Sequence, residues 1–428
     1  MLLLQCQKNK YLKNLINKLK EHKSIIENFS YLSALQVFAM ILPMISYPYL
    51  IRVLGTLIYG KIIFAQAIIG YLVLLVSFGF SITATKEISV HRNDKDKISE
   101  IVSSIMIIKI VLFLFSFLFF TPFFFLYGEV ANNKVLYLLT LWLCIYEITF
   151  PAFYFQGIEK MKYVSIITLL VRSVFVGLIF IFIHNKSDYL FVPFLNLCGA
   201  ISASLISLYI VFHRHKIRFY MPEFLVLKFY VREAIPIFLS NISIQIYVSS
   251  NKVLIGSFLG MTEVSYYDLA EKILNILRIP QGIVNQSVFA RISLDKNISF
   301  IKKVFKYSLG FSIVSFLGLV FFSDFIIRIL GGANMLPAKS VLLILGLTLP
   351  IVTVSNVFGV LVMIPFGMNK LFSKIIMFSG IIFTAQFLFL WGLNLITIYS
   401  LCVSTVVTEL FVSFLMYYYC FKNNLWRI

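Results

Sequence analysis

Long apolar stretches with few charges recur along the chain and are separated by short polar breaks. Each contains about 20 residues or more, which is the length that an α-helix needs to cross a bilayer. Backbone exposed to lipid must satisfy its own hydrogen bonds, so these stretches are predicted to be helices. The pattern therefore predicts an all-α polytopic membrane protein. The twelve predicted transmembrane helices are residues 30–50, 62–84, 101–126, 135–156, 164–184, 189–212, 235–258, 270–290, 307–330, 340–363, 371–392 and 395–420.

Composition supports this interpretation. Of the 428 residues, 60% are hydrophobic and 13% are charged, whereas soluble domains average about 45–50% apolar and about 25% charged residues. A soluble enzyme and a secreted domain are therefore excluded. The five cysteines form no CxxC pair, and we expect neither a metal site nor a cofactor.

The net charge of +19 reflects 37 Lys and Arg residues. If the N-terminus is cytoplasmic, 26 of them fall in cytoplasmic segments and six in outer segments. Cytoplasmic loops of membrane proteins are enriched in Lys and Arg, so both termini are predicted to be cytoplasmic. No basic stretch outside the spans is interleaved with aromatic residues, and we do not expect nucleic acid as a partner.

A weak internal repeat indicates two halves. The pattern of Gly55, Gly60, Ala65 and Gln66 returns 205 residues later as Gly260, Ser265, Ala270 and Glu271. An even number of spans in each half predicts a parallel repeat with two six-helix lobes around a central cavity. The predicted divisions are a basic N-terminal segment 1–28, an N-terminal lobe 29–212, a cytoplasmic linker 213–234, a C-terminal lobe 235–421 and a tail 422–428.

Polar residues inside the spans are the candidates for function, because charge within a bilayer is costly and tends to face a cavity. One face of span 8 carries Glu271, Asn275, Arg278 and Asn285, at helical spacing. Lys272 and Gln286 border that face. Span 7 carries Asn241, Gln245 and Lys252, and span 5 carries Arg172. The pattern predicts a hydrated, partly cationic cavity for an anionic headgroup. The alternative is polar contact between packed helices.

Carboxylates within the spans are candidates for ion coupling. They are Glu147, Glu271, Asp324 and Glu409. Each could relay protons or bind a cation, or could instead pair with a neighbouring Lys or Arg.

Two segments resemble the Wzx-type O-antigen flippases of the multidrug/oligosaccharidyl-lipid/polysaccharide exporter superfamily. The first runs from Tyr47-Pro48-Tyr49-Leu50 through Arg52-Val53-Leu54-Gly55 to Tyr59-Gly60. The second consists of residues 251–256, Asn-Lys-Val-Leu-Ile-Gly, followed by residues 266–273, Tyr-Tyr-Asp-Leu-Ala-Glu-Lys-Ile. The resemblance implies a bacterial inner-membrane protein that moves undecaprenyl-diphosphate-linked oligosaccharide to the outer leaflet. It also implies contact with membrane lipids, with an O-antigen polymerase and with a chain-length regulator.

The pattern of intramembrane polar residues and the resemblance together predict residue roles. Arg278, Lys252 and Arg172 would hold the diphosphate, with Lys272 as a further cavity cation. Sugar hydroxyls would be bound by Asn241, Gln245, Asn275, Asn285 and Gln286.

Two other functions stay open. A cation-coupled multidrug exporter of the same superfamily would favour an acidic cavity. A membrane-embedded O-antigen polymerase or glycosyltransferase would need catalytic residues in a sizeable aqueous loop, and the predicted outer loops are short, with no His–carboxylate or Asp-rich cluster.

Overall fold

A computed structural model describes residues 38, 41–42, 44–126 and 128–426. The basic segment 1–28, most of the first predicted span and the last two residues of the tail lie outside this part. Within the described ranges, every regular element is a helix. This confirms the prediction of an all-α fold.

The helices are numbered α1 to α16 in chain order. The first half contains α1 (44–77), α2 (Phe80–Val90), α3 (Lys95–Leu126), α4 (Gly128–Asn132), α5 (Lys134–Thr140), α6 (Trp142–Thr149), α7 (Ala152–Gly157), α8 (Met161–Phe182) and α9 (Phe191–Leu208). The second half contains α10 (Phe224–Phe258), α11 (Met261–Asp295), α12 (Ile298–Leu330), α13 (Ala338–Gly346), α14 (Thr348–Ser355), α15 (Asn369–Gly392) and α16 (Ile398–Lys422). Short 3₁₀ and π segments extend α9, α13 and α14.

Within the described residues, nine helical segments are long and apolar enough to cross a membrane. Neither α10 nor α11 is among them, although each has 35 residues. Uncharged polar residues contribute to this, because even their least charged stretches, such as 234–251 with no Asp, Glu, Lys or Arg, are rich in Ser, Asn and Gln. The same residues made these two helices the candidates for function.

The segment 44–77 is a hairpin around Gly55. The rings of Tyr47 and Tyr59 have centroids 5.1 Å apart, whereas 12 residues of straight α-helix would separate them by about 18 Å. Gly55 has φ +79°, a left-handed conformation that glycine adopts without a Cβ clash. Gly260, its partner in the predicted repeat, also has a positive φ, of +128°, and separates α10 from α11.

We call the end of the bundle with these two turns the Gly55 end, and the opposite end, where Arg92 pairs with Glu159, the Arg92 end. At the Gly55 end one buried apolar cluster joins both halves, and it includes Tyr47 and Leu342. Towards the Arg92 end the clusters separate. One lies between Phe80 and Ala234, and the other between Ile292 and Trp426. The two halves are therefore fused at one end and packed separately at the other.

Residues 224–234 of the predicted linker are helical, because α10 begins at Phe224. Tyr230 and Ala234 are buried in the cluster of the first half, while Arg232 and Glu233 are exposed. The first part of α10 is therefore amphipathic, with one side buried against the first half and the other side exposed. Only residues 215–223 lack regular structure between the halves.

Candidate functional site

A cavity of about 370 Å³ lies between helices of the first half and is bounded on one side by residues of α10 and α11. Four helices each present a stripe of residues at spacings of three or four, which places the stripe on one helical face. Small residues on α9, such as Gly199 and Ala200, leave room for it. The polar and aromatic side chains that line it are Ser46, Tyr47, Tyr59, Gln66, Trp142, Tyr146, Thr168, Arg172, Phe175, Asn196, Lys252, Asp268 and Lys272.

The second half contributes three charged residues to this wall. Lys252 Nζ lies 2.9 Å from Asp268 Oδ1 and 2.6 Å from Glu271 Oε2. Lys272 pairs with the other oxygen of Asp268. Asp268 is only 2% exposed, so its carboxylate is compensated by two ammonium groups away from water. Two cations and two anions make this cluster neutral as a whole.

Tyrosines of the first half cover this cluster. The Tyr59 hydroxyl donates to Asp268 Oδ2 at 3.1 Å and accepts from Lys272 Nζ at 2.6 Å. Lys272 Nζ also lies 5.0 Å from the ring centroid of Tyr47, a cation–π contact. The charged cluster therefore binds the two halves to each other through the hairpin around Gly55.

Further contacts close the Gly55 end. Ser265 Oγ donates to the Thr56 carbonyl at 2.6 Å, and Arg52 Nη2 donates to the Ile329 carbonyl at 2.7 Å. A Cβ at Gly60 would stand 1.7 Å from the carbonyl oxygen of Met261. Glycine is thus the residue that permits this backbone approach.

Glu271 faces a second, smaller hollow of about 80 Å³ in the second half. Arg278, Glu409 and Thr405 also line it, and Arg278 Nη2 donates to Thr348 Oγ1 at 2.6 Å. Glu271 therefore belongs to two groups at once, because it pairs with Lys252 of the charged cluster and lines the same hollow as Arg278.

Arg172 differs from the other cavity cations. Among the described residues, no carboxylate lies within 4.0 Å of its guanidinium. It lines the first cavity and also a third one, of about 310 Å³, which lies towards the Arg92 end. In that third cavity Lys109, which is 2% exposed, pairs with Glu147 at 2.6 Å. Among the described residues Arg172 thus forms no ion pair within 4.0 Å, while Glu147 lines the same third cavity and pairs with Lys109.

The structure brings only some of the predicted residues together. Arg172, Lys252 and Lys272 line one cavity, whereas Arg278 lies in the small hollow with Glu271 and Glu409. Asp324 pairs with Lys339 at 2.9 Å in an exposed contact. None of the three cavities is lined by the predicted sugar-binding residues Asn241, Gln245, Asn275, Asn285 and Gln286.

Several residues of the site were missed from sequence. Asp268 was placed outside span 8, which was predicted to begin at residue 270, whereas α11 begins at Met261. Asp268 and Lys272 are four residues apart, and this spacing could have predicted an ion pair on one face of a helix. Trp142 and Tyr146 carried no such signal, because aromatic residues occur throughout the spans. Among the described residues, no group of His, Cys, Asp and Glu is suited to hold a metal ion.

Known proteins with related sequences are transporters. Two proteins, each named "Putative O-antigen transporter", are similar to this chain. The one from Escherichia coli K12 is 28% identical over 375 residues, covering 86% of this chain and 89% of its own length. The one from Shigella dysenteriae is 25% identical over 357 residues, covering 79% and 86%. These names agree with a transporter and not with an enzyme.

Solved structures show the same fold. The lipid II flippase MurJ, in an inward closed conformation, aligns with a TM-score of 0.71 and 16% identity, over 94% of this chain and 87% of MurJ. An inward-facing multidrug transporter of the MATE family and MOP superfamily aligns with a TM-score of 0.66 and 13% identity, over 90% and 98%.

The family comparison agrees with the loop motifs. Residues 25–293 match the family described as polysaccharide biosynthesis protein, and this confirms the resemblance drawn from the segments around Gly55 and Asp268. Because the match covers more than half of the 428 residues, the chain belongs to the polysaccharide biosynthesis protein family.

Proposed function

We propose that this protein is a flippase for undecaprenyl-diphosphate-linked O-antigen units, which it moves from the cytoplasmic to the periplasmic leaflet by alternating access. One observation carries the proposal: a cavity inside the helical bundle exposes Arg172, a cation with no acid within 4.0 Å among the described residues. The family and the names of the relatives support a lipid-linked saccharide as cargo. An O-antigen polymerase and a chain-length regulator are the expected partners.

The proposed architecture has twelve spans in two lobes. The hairpin around Gly55 supports two spans within residues 44–90, and α10 and α11 are long enough for two more. The first predicted span lies largely outside the described residues, so the total of twelve is part of the proposal. The positive φ at both Gly55 and Gly260 supports a repeat of six spans.

The proposed orientation places the Gly55 end in the periplasm of a bacterium and both termini in the cytoplasm. The distribution of Lys and Arg supports it. In that orientation the fused end is periplasmic, and the separately packed apolar clusters are cytoplasmic. The structure then corresponds to a state closed towards the periplasm, in which a headgroup would enter from the cytoplasm.

The cations have different roles in this proposal. Arg172 would bind the diphosphate, because a guanidinium can donate two parallel hydrogen bonds to phosphate oxygens. Lys252 and Lys272 are offset by Asp268 and Glu271, so they would attract a further anion only weakly while this cluster is intact. Arg278 lies in the second half, beside Glu409, where we propose a part in ion coupling together with Glu271.

Mutation of Arg172 tests the proposal. Arg172→Ala, expressed in a strain that lacks its own O-antigen flippase, should abolish surface O-antigen while membrane abundance stays normal. Arg172→Lys should retain part of the activity, because it keeps the charge but not the bidentate geometry. Lys370→Ala removes an exposed cation that lines none of the three cavities and is the matched control. Normal O-antigen with Arg172→Ala would refute the proposal.

The competing function is multidrug export. The similarity to MATE transporters is 13% in sequence and concerns the fold. A cavity with an unpaired arginine repels cationic drugs by its charge. We therefore expect that deletion of the gene leaves drug susceptibility unchanged, and a marked sensitisation would favour the exporter.

A further inference from the structure

One wall of the large cavity is aromatic. Trp142 and Tyr146 lie four residues apart on α6, so both side chains are on the same helical face, and both line the cavity. Tyr146 lines the third cavity as well, together with Arg172. The aromatic wall and the unpaired cation therefore belong to one continuous lining.

This wall presents a hydrogen-bond donor without an acceptor. The indole Nε1 of Trp142 is buried and has no hydrogen-bond partner, and the same is true of the Tyr47 hydroxyl elsewhere in the lining. Buried polar groups of tryptophan and tyrosine are normally satisfied, because leaving one unpaired costs free energy. A ligand whose acceptors reached these two groups would remove that cost.

Two uncharged amides, Gln66 and Asn196, also belong to the lining. Asn196 uses its Nδ2 to donate to the Val192 carbonyl at 2.9 Å, which leaves its Oδ1 available as an acceptor. Gln66 adds a second amide. A sugar ring has apolar C–H faces and polar hydroxyls at its edge, so aromatic faces combined with neutral hydrogen-bonding groups suit it better than they suit a phosphate or a lipid tail.

We propose that Trp142 and Tyr146, with Gln66 and Asn196, form the saccharide subsite of the transporter. It would hold the sugar next to the diphosphate while Arg172 holds a phosphate. This inference rests on the proposed function and deepens it, because it assigns sugar selection to the first half. The residues of α10 and α11 that were predicted for that role line none of the three cavities, namely Asn241, Gln245, Asn275, Asn285 and Gln286.

Binding measurements on the full-length protein in nanodiscs test the subsite. Two radiolabelled probes are compared: a short-chain prenyl diphosphate that carries one hexosamine, and the same prenyl diphosphate without the sugar. We expect the sugar to tighten binding to the unmodified protein. Trp142→Phe keeps an aromatic ring and removes the N–H, so it should weaken binding of the sugar-linked probe about fivefold and leave the sugar-free probe unchanged.

Two further variants complete the comparison. Trp142→Ala should weaken the sugar-linked probe more than Trp142→Phe does, and Arg172→Ala should weaken both probes. Trp391→Phe is the matched control, because Trp391 is exposed at the end of α15 and lines none of the three cavities.

The outcomes separate this inference from the proposed function. If the unmodified protein binds neither probe, the proposed function fails and the subsite fails with it. If it binds both probes equally, or if the Trp142 variants affect both probes alike or neither, the saccharide subsite is refuted while the flippase proposal stands.

Discussion

The hydroxyl of Tyr59 donates to the carboxylate of Asp268 at 3.1 Å, across 209 residues of sequence and across the boundary between the two halves. Both residues are buried. Because the same hydroxyl accepts from Lys272, one tyrosine joins the hairpin around Gly55 to the charged cluster of the second half. This contact favours the state that is closed at the Gly55 end.

Tyr59→Phe should weaken that closure. Loss of the hydroxyl removes one donor from a buried carboxylate, at a cost of about 1–3 kcal/mol. We expect the population open at the Gly55 end to rise at least about fivefold. Spin labels on Leu57 and Leu395, both exposed positions in the two halves, would report longer distances in the variant. An unchanged distance distribution would show that the hydroxyl does not hold the halves together.

Asp268→Asn should destabilise the protein strongly. It removes the shared partner of Lys252 and Lys272, and breaking a buried ion pair from one side costs about 3–5 kcal/mol. The measurement is thermal unfolding in detergent. Asp268→Asn combined with Lys272→Met should recover part of the loss, because one unpaired ammonium group is removed. A double variant no more stable than Asp268→Asn alone would contradict this explanation.

Gly60→Ala should prevent closure at the Gly55 end and abolish transport. The added Cβ would lie 1.7 Å from the Met261 carbonyl oxygen, a backbone atom that cannot move by a rotamer change. Gly310→Ala is the matched control, because a Cβ there meets nothing within 4 Å and alanine favours a helix interior. The measurement is surface O-antigen at equal membrane abundance. Equal transport by both variants would be inconsistent with close contact at Gly60.

Paired substitutions at Lys109 and Glu147 distinguish a structural ion pair from ion coupling. Glu147→Gln alone should lower thermal stability, because Lys109 is buried and loses its partner. The double variant Lys109→Met with Glu147→Leu should restore the thermal stability, since both charges are removed together. If the pair is structural, the double variant transports normally. A stable double variant without transport would instead assign coupling to Glu147.

The protein should become less stable as the pH is lowered, because of His215, which lies near the Arg92 end. Burial first, and then the charges of Lys160, Arg214 and Lys95, lower the pKa of His215 below its usual 6.5. The unfolded chain therefore binds this proton more readily than the folded one, so unfolding becomes easier as pH drops below about 6.5. His215→Gln should reduce the fall in melting temperature between pH 7.5 and 5.5.

His213→Gln is the control for that measurement, because His213 is exposed and should leave the slope unchanged. Equal slopes for the unmodified protein and His215→Gln would contradict a role for His215.

The periodic apolar stretches alone predicted an all-helical membrane protein, because a lipid environment forces helices wherever backbone polar groups lack water. The motifs around Gly55 and Asp268 predicted the family. The cations within the spans were recognised as candidates because a charge inside a bilayer is costly.

What the sequence could not determine was which charges neutralise one another. Lys252, Lys272 and Asp268 form one compensated cluster, while Arg172 faces the cavity without an acid within 4.0 Å among the described residues. Helical spacing shows which residues share a face of one helix. Whether a charged side chain is neutralised depends on side chains that other helices bring next to it. Only their packing in three dimensions brings Trp142, Tyr59 and Arg172 to one cavity.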